Sequence, residues 1–320
     1  MGKSNIKYIC VSDLHFGDND SLFTPFSTPS TQSFHLCLKK LIDSECRDKP
    51  SLILCGDIIE LALASPSKSL HVFEQFLTEV GQMFSNIIYI PGNHDHHLWE
   101  SAREDQYEQY IRERAPGGSQ FESPWHHTYM LAPTPLPIGI IESFCKRNDA
   151  LKSLKINCVY PNLGFFNAQR CVTISHGHYT ESKYSLGSWL KQKLIRLPPP
   201  RDIDQLEEEN FAWIDFLWST LRQTGTLGQG VETMYEVYLS PRGPITLIYN
   251  LVKNLIDRPV IGSTLGTLAA LVAILVSCFF DVMFERHRPG AKNATSDSTE
   301  ADHSSKNHTM DMYVRLTHVA

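Results

Sequence analysis

The first half of this 320-residue chain predicts an α/β fold built on a parallel sheet, and three observations lead there. Short apolar runs of strand type alternate with stretches whose apolar residues recur at helical spacing. The order is strand, helix, strand, helix, strand, the pattern left by parallel strands joined through crossover helices. Each of the three strands also ends abruptly in carboxylate, imidazole or amide side chains, and in open parallel sheets ligands bind beyond the carboxyl ends of the strands.

Lys7-Tyr8-Ile9-Cys10-Val11 is the first strand pattern, and it runs into Asp13-Leu14-His15 before Gly17 and a loop rich in Asp, Ser, Thr and Pro. Phe34, Cys37, Leu38, Leu41 and Ile42 then share one face of a helix. The second strand, Leu52-Ile53-Leu54-Cys55, ends in Gly56-Asp57, and a second helical face follows at Leu70, Phe73, Leu77, Val80 and Phe84. The third strand, Ile87-Ile88-Tyr89-Ile90, meets Pro91-Gly92 and then Asn93, His94 and Asp95. Gly92 lets the backbone turn there with no Cβ in the way. Pro, Gly, Asn and Asp are ordinary turn residues, but the same construction at three successive strand ends marks a site.

From His96 to Ala115 the chain is polar and helix-like, stopped by Pro116-Gly117-Gly118. Residues 119–149, with prolines at 124, 133, 135 and 137, read as loop-rich, and about 96–150 as an insertion near the site. Strand patterns resume at 156–160 and 171–174, the latter ending in Ser175-His176-Gly177-His178. Leu206, Phe211, Ile214, Leu217, Trp218 and Leu221 mark a last helix, capped by Gly225.

A formal net charge of −6 argues against a nucleic-acid-binding surface. The eight cysteines fall singly, several inside apolar runs (Cys10, Cys55, Cys171), as expected of reduced, buried thiols in a cytosol-facing domain. Met1 to Asn5 leads directly into a strand and leaves no room for a signal peptide. Residues 260–280 carry no charge and are long enough for a candidate transmembrane helix. Gly262 and Gly266 within them form a G-x-x-x-G pair suited to close helix approach. Basic residues lie on both sides, so charge does not set an orientation. The expected layout is a catalytic domain over 1–240, a hydrophobic helical segment over 241–288, and a disordered tail over 289–320. The expectation is a cytoplasmic domain in which 260–280 is either a membrane anchor or a buried or lipid-capping helix.

Carboxylates, neutral imidazoles and one amide, without a thiolate, suit Mn, Fe or Zn. Asp57, a single carboxylate between other ligand groups, is placed to bridge two divalent cations. Two such ions about 3.5–4 Å apart can hold a phosphate oxygen and lower the pKa of a water to give hydroxide for in-line attack at phosphorus. His94 is the candidate proton donor to the leaving oxygen, with Asp95 expected to orient its ring.

Taken together and in this order, Asp13-Leu14-His15, Gly56-Asp57, Gly92-Asn93-His94-Asp95 and His176 resemble the first four blocks of the calcineurin-like metallophosphoesterases, over about residues 7 to 180. The resemblance implies a two-sheet α/β sandwich flanked by helices. It also implies Asp13 and His15 on one metal, Asp57 bridging, Asn93 and His176 on the second, and His94 as the acid, oriented by Asp95. The family's closing Gly-His-x-His is missing: Gly177-His178-Tyr179-Thr180 has only its first half. His178 is the nearest replacement ligand, ahead of His96, His97, His126 and His127. Two readings follow. One is an enzyme acting on a phosphomonoester, phosphodiester or pyrophosphate; the other is a weakened metal-binding or scaffold protein tethered to a membrane by its C-terminal segment.

Overall fold

The computed structural model describes residues 6–113, 135–166 and 169–223, together with Val237 and Thr246. Strands β1 (Tyr8–Val11), β2 (Ser51–Cys55), β3 (Ile87–Ile90) and β4 (Ile156–Cys158) lie side by side in that order and are all parallel. Residues Cys10, Ile53, Ile88 and Asn157 stand in register across the sheet. A second, antiparallel sheet is formed by β5 (Asn162–Phe166) and β6 (Cys171–Ser175).

The crossovers are helices α1 (Pro29–Glu45) and α2 (Pro66–Val80). Both begin with a hydroxyl cap followed by proline: Thr28 Oγ1 accepts from Thr31 N, and Ser65 Oγ from Lys68 N. Such a cap satisfies a first-turn amide, and proline at N1 has no amide to lose. Helix α3 (His97–Glu113) follows β3, and α4 (Gly139–Arg147) precedes β4. After β6 come α5 (Leu186–Leu190) and α6 (Ile203–Ile214), which continues through a π-helical turn, Asp215–Thr220.

Alternation along β2 sorts the core into two layers. Leu52 and Leu54 join Phe73, Phe76, Leu77 and Tyr89 under the helices, whereas Ile53 and Cys55 pack with Ile90, Val159, Leu163, Phe165 and Ile174 against the β5–β6 pair. The implied arrangement of two sheets with helices outside is thus present in the described residues, with a two-stranded second sheet.

Some expectations need correction. Residues 139–147 form a helix where a loop was expected: Ile138, Ile141, Phe144 and Cys145 are buried at helical spacing, a period masked by the prolines just before it. Strand β5 had no clear alternation to announce it. Cys10 and Cys171 are exposed, because β1 is the edge strand of its sheet and Cys171 opens β6; the seven described cysteines are all free. Among the described residues no helix is long and apolar enough to cross a membrane. The run 260–280, Gly225 and the tail lie outside the described residues.

A buried ion network joins α6 to the chain after β3. His96 Nε2 lies 3.1 Å from Glu207 Oε1, and its Nδ1 is 3.7 Å from Asp215 Oδ1; His97 Nδ1 is 3.0 Å from that same oxygen. Burial opposes charge on His96, but Asp215 and Glu207 outweigh it and raise its pKa from 6.5 to about 10. For Asp215, burial is likewise outweighed by His96 and His97, lowering its pKa from 3.8 to about 2. A raised imidazole stabilises fully below its unfolded value, and the benefit fades as pH climbs from 6.5 through about 10. A depressed carboxylate stabilises fully above 3.8, and the benefit fades as pH falls through about 2. Thermal stability should therefore be highest between these limits. His96→Gln should flatten the alkaline slope and, by leaving buried carboxylates uncompensated, lower unfolding free energy by about 3–5 kcal/mol in denaturant titrations.

Candidate metal centre

Beyond their last ladder residues β1 and β2 keep pairing. Asp13 N donates to Gly56 O at 3.0 Å, His15 N to Asp57 O at 2.9 Å, and Phe16 N to Ile58 O at 2.8 Å. This holds two turns against each other in an unusual backbone: φ is 56° at Asp13, 46° at His15 and 52° at Asp57. Asp and His enter the left-handed region more readily than most residues, yet three such positions at one spot are a mark of a site.

Two of the three groups of ligand-type side chains among the described residues lie here, Asp13 with Asp57 and His176, and His15 with Glu60 and His94; the third is His96 with Glu100 and Glu207. Asp57 joins the first two. Its Oδ1 accepts from His94 N at 2.8 Å, while its Oδ2 lies 3.5 Å from His176 Nε2 and 3.9 Å from His15 Nε2. His176 Nε2 is also 3.7 Å from Asp13 Oδ1. Asn93 is almost wholly buried on the lining of the same cleft, with its carbonyl held by Ser219 Oγ at 2.8 Å and its Nδ2 without a hydrogen-bond partner. The cleft has a volume of about 720 Å3.

Glu60 was missed in the sequence. Its carboxylate is fully buried and reaches both imidazoles: Oε2 is 2.8 Å from His15 Nδ1, and Oε1 is 2.9 Å from His94 Nδ1. Burial works against its charge, but His94 and His15 prevail and hold its pKa at about 2. Burial likewise opposes charge on His94, and Glu60 and Asp57 overcome it, raising its pKa to about 9. On His15 burial is again outweighed, with Glu60 foremost, and the pKa rises. Asp13 is lowered, chiefly by its hydrogen bond with His176; His176 is raised despite burial, chiefly by that same bond. The signal for Glu60 was available: it is the one charged residue in the run Ile58 to Ala64.

The expected pairing of Asp95 with His94 is not what the structure shows. Asp95 turns inward and accepts from Gly92 N at 2.6 Å, Ile58 N at 2.8 Å, Asp57 N and Ile59 N at 3.3 Å each, and the Tyr89 hydroxyl at 2.5 Å. Orphan turn amides need an acceptor, and that demand takes the carboxylate away from the imidazole. Burial raises the Asp95 pKa. His178 is not in either ligand group: it lies behind His176, with Nδ1 3.4 Å from His176 Nδ1 and Nε2 3.0 Å from the Tyr160 hydroxyl. His96 and His97 are engaged by Glu207 and Asp215, away from Asp57; His126 and His127 lie outside the described residues.

Carboxylates and imidazoles gathered on a shared Asp57 oxygen, with Asn93 on the same cleft lining, fit a divalent cation of hard or borderline character. A parallel α/β core presenting this donor set at its strand ends has the architecture of a metal site. The model of the calcineurin-like phosphoesterases matches residues 6–220, and the chain belongs to that family, whose activity is metal-dependent phosphoester hydrolysis. Comparison with curated proteins and with solved structures returned no match.

Two glycines leave the room that the centre occupies. A Cβ on Gly92 would stand 2.3 Å from Asp57 Oδ1 and 2.8 Å from His176 Nδ1, and one on Gly56 would stand 2.3 Å from the His176 ring. Gly92→Ala should therefore push Asp57 and His176 apart and weaken metal binding by about 10–100-fold, the range for disturbed ligand orientation. Calorimetric titration checks the affinity, and an unchanged circular dichroism spectrum would show the fold intact.

Proposed function

We propose that this protein is a two-metal phosphoesterase that hydrolyses a phosphomonoester, phosphodiester or pyrophosphate at the Asp57 centre. The observation that carries the reading is the position of Asp57 Oδ2, between His15 on one side and His176 on the other. By the family resemblance Asp13 and His15 would hold one ion and Asn93 and His176 the other, with Asp57 shared, although the side chains themselves gather Asp13 with His176 and His15 with His94; Mn, Fe and Zn all suit these donors. When bound, such ions neutralise phosphate charge and lower the pKa of water at the site.

The protein's own groups then have distinct work. Glu60 fixes His94 through Nδ1 and keeps it protonated, leaving Nε2 as the ring's remaining donor for the leaving oxygen. Trp218, its ring 5.9 Å from that of His94, backs the imidazole. Asp57 Oδ1 is tied to His94 N, so the shared carboxylate and the acid move as one unit. The cleft is larger than a phosphate ion needs, and Leu22, Phe23, Leu63 and Tyr184 on its lining offer apolar surface to the rest of the ester.

The weakened or scaffold reading is favoured by a single observation, the absence of the closing Gly-His-x-His from the sequence. Metal counting separates the two: two equivalents per chain support the enzyme, one or none the scaffold. Tethering by residues 260–280 rests on their lack of charge, and deleting 259–320 should release the chain from membranes.

Hydrolysis of an aryl phosphate with added Mn should be lost on chelation and in Asp57→Ala. His94→Ala should lower kcat by about 10²–10⁴-fold, the usual worth of a general acid. Because the acid must carry its proton, the rate should fall as pH rises through about 9. Glu60→Gln removes the charge that raises this pKa, so the alkaline limb should move to lower pH; a pH–rate profile identical to that of the wild type would exclude Glu60 from this role.

A further inference from the structure

We propose that Glu207, acting through Tyr160 and His178, fixes the tautomer of His176 so that its Nε2 lone pair is kept for a metal ion. The inference rests on the metal-centre reading above and adds three positioning residues to it.

The direction of each hydrogen bond is forced from the far end. Glu207 is fully buried, and its Oε2 receives the Tyr160 hydroxyl at 3.0 Å and the Tyr179 hydroxyl beside it, while Oε1 faces His96 Nε2 at 3.1 Å. A carboxylate only accepts, so the single proton of Tyr160 points to Glu207. The phenol oxygen must then accept from its other neighbour, His178 Nε2, at 3.0 Å. His178 is buried, and its two ring nitrogens face a phenol oxygen and another imidazole rather than a carboxylate, so burial leaves it a single proton. With its one proton on Nε2, its Nδ1 is a bare lone pair.

That lone pair faces His176 Nδ1 at 3.4 Å. Only an N–H on His176 Nδ1 makes this contact favourable, since two bare nitrogens would repel. The other ring nitrogen, Nε2, is the one turned toward Asp57 Oδ2 at 3.5 Å and Asp13 Oδ1 at 3.7 Å, so an ion held there would take the place of the proton that bonds Asp13. Metal-bound histidines are generally held through their second nitrogen by a partner that sets tautomer and ring direction. Here that partner is another imidazole, oriented in turn by a phenol and a carboxylate from α6. Gly177, at φ 80°, provides the left-handed turn between the two histidines.

Tyr160→Phe is the discriminating variant: it keeps the ring, leaves Glu207 its contacts with Tyr179 and His96, and removes only the oxygen that receives His178 Nε2–H. Two measurements on the full chain test it. Histidine ring 15N shifts of the metal-free protein should show His178 protonated on Nε2 in the wild type and shifted toward the Nδ1–H form in Tyr160→Phe. Calorimetric titration with Zn2+ should show one of two bound equivalents weakened by about 10–100-fold in Tyr160→Phe and in Glu207→Gln, the range for lost outer partners, with the other unchanged. A wild-type chain that binds zinc, with a Tyr160→Phe variant that binds it equally well or an unchanged His178 tautomer, overturns the relay alone. A wild-type chain that takes up no zinc overturns the metal-centre reading and the relay with it.

Discussion

The buried carboxylate of Asp95 is the contact on which the arrangement of the centre depends. Four backbone amides and the Tyr89 hydroxyl converge on it from the turn after β2, the turn after β3 and β3 itself. Amides in such turns have left the ladder and would otherwise be buried without partners. Gathering them on one charge fixes the distance between Asp57 and the Asn93–His94 pair more firmly than side-chain packing would. The centre is thus held from beneath by backbone, and the groups above it are free to be chosen for chemistry.

A second support comes from far along the chain. Helix α6 and the turn that follows reach the segment after β3 through Glu207, Asp215, Trp218 and Ser219, touching His96, His97, His94 and the carbonyl of Asn93. These contacts brace the Asn93–His94 turn from behind. The network is charged and largely buried, so a change that leaves one of its carboxylates alone would be costly.

Much of this was legible in the residues. The parallel sheet followed from the alternation of periods, and the gathering of Asp13, His15, Asp57 and His176 followed from their places at strand ends, because a strand's terminus fixes where its next side chain can go. Partners set by long-range packing were harder to see. Asp95 was assigned to its sequence neighbour His94, but the nearer demand came from amides 36 to 38 residues away. Glu60, hidden in an apolar run, took the imidazole instead. Helix α4 was obscured by prolines that end just before it begins. Composition and spacing report local preference; which carboxylate meets which imidazole is decided by tertiary contact.

The left-handed backbone at Asp13, His15 and Asp57 has a consequence for how such a centre can change over generations. An L-residue in that conformation is held at a cost of about 1–3 kcal/mol when its surroundings over-determine it, whereas glycine adopts it freely. Glycine at any of these places would relieve the backbone but remove a ligand-type side chain, so under the two-metal reading a gain in robustness and a loss of the centre would run in the same direction.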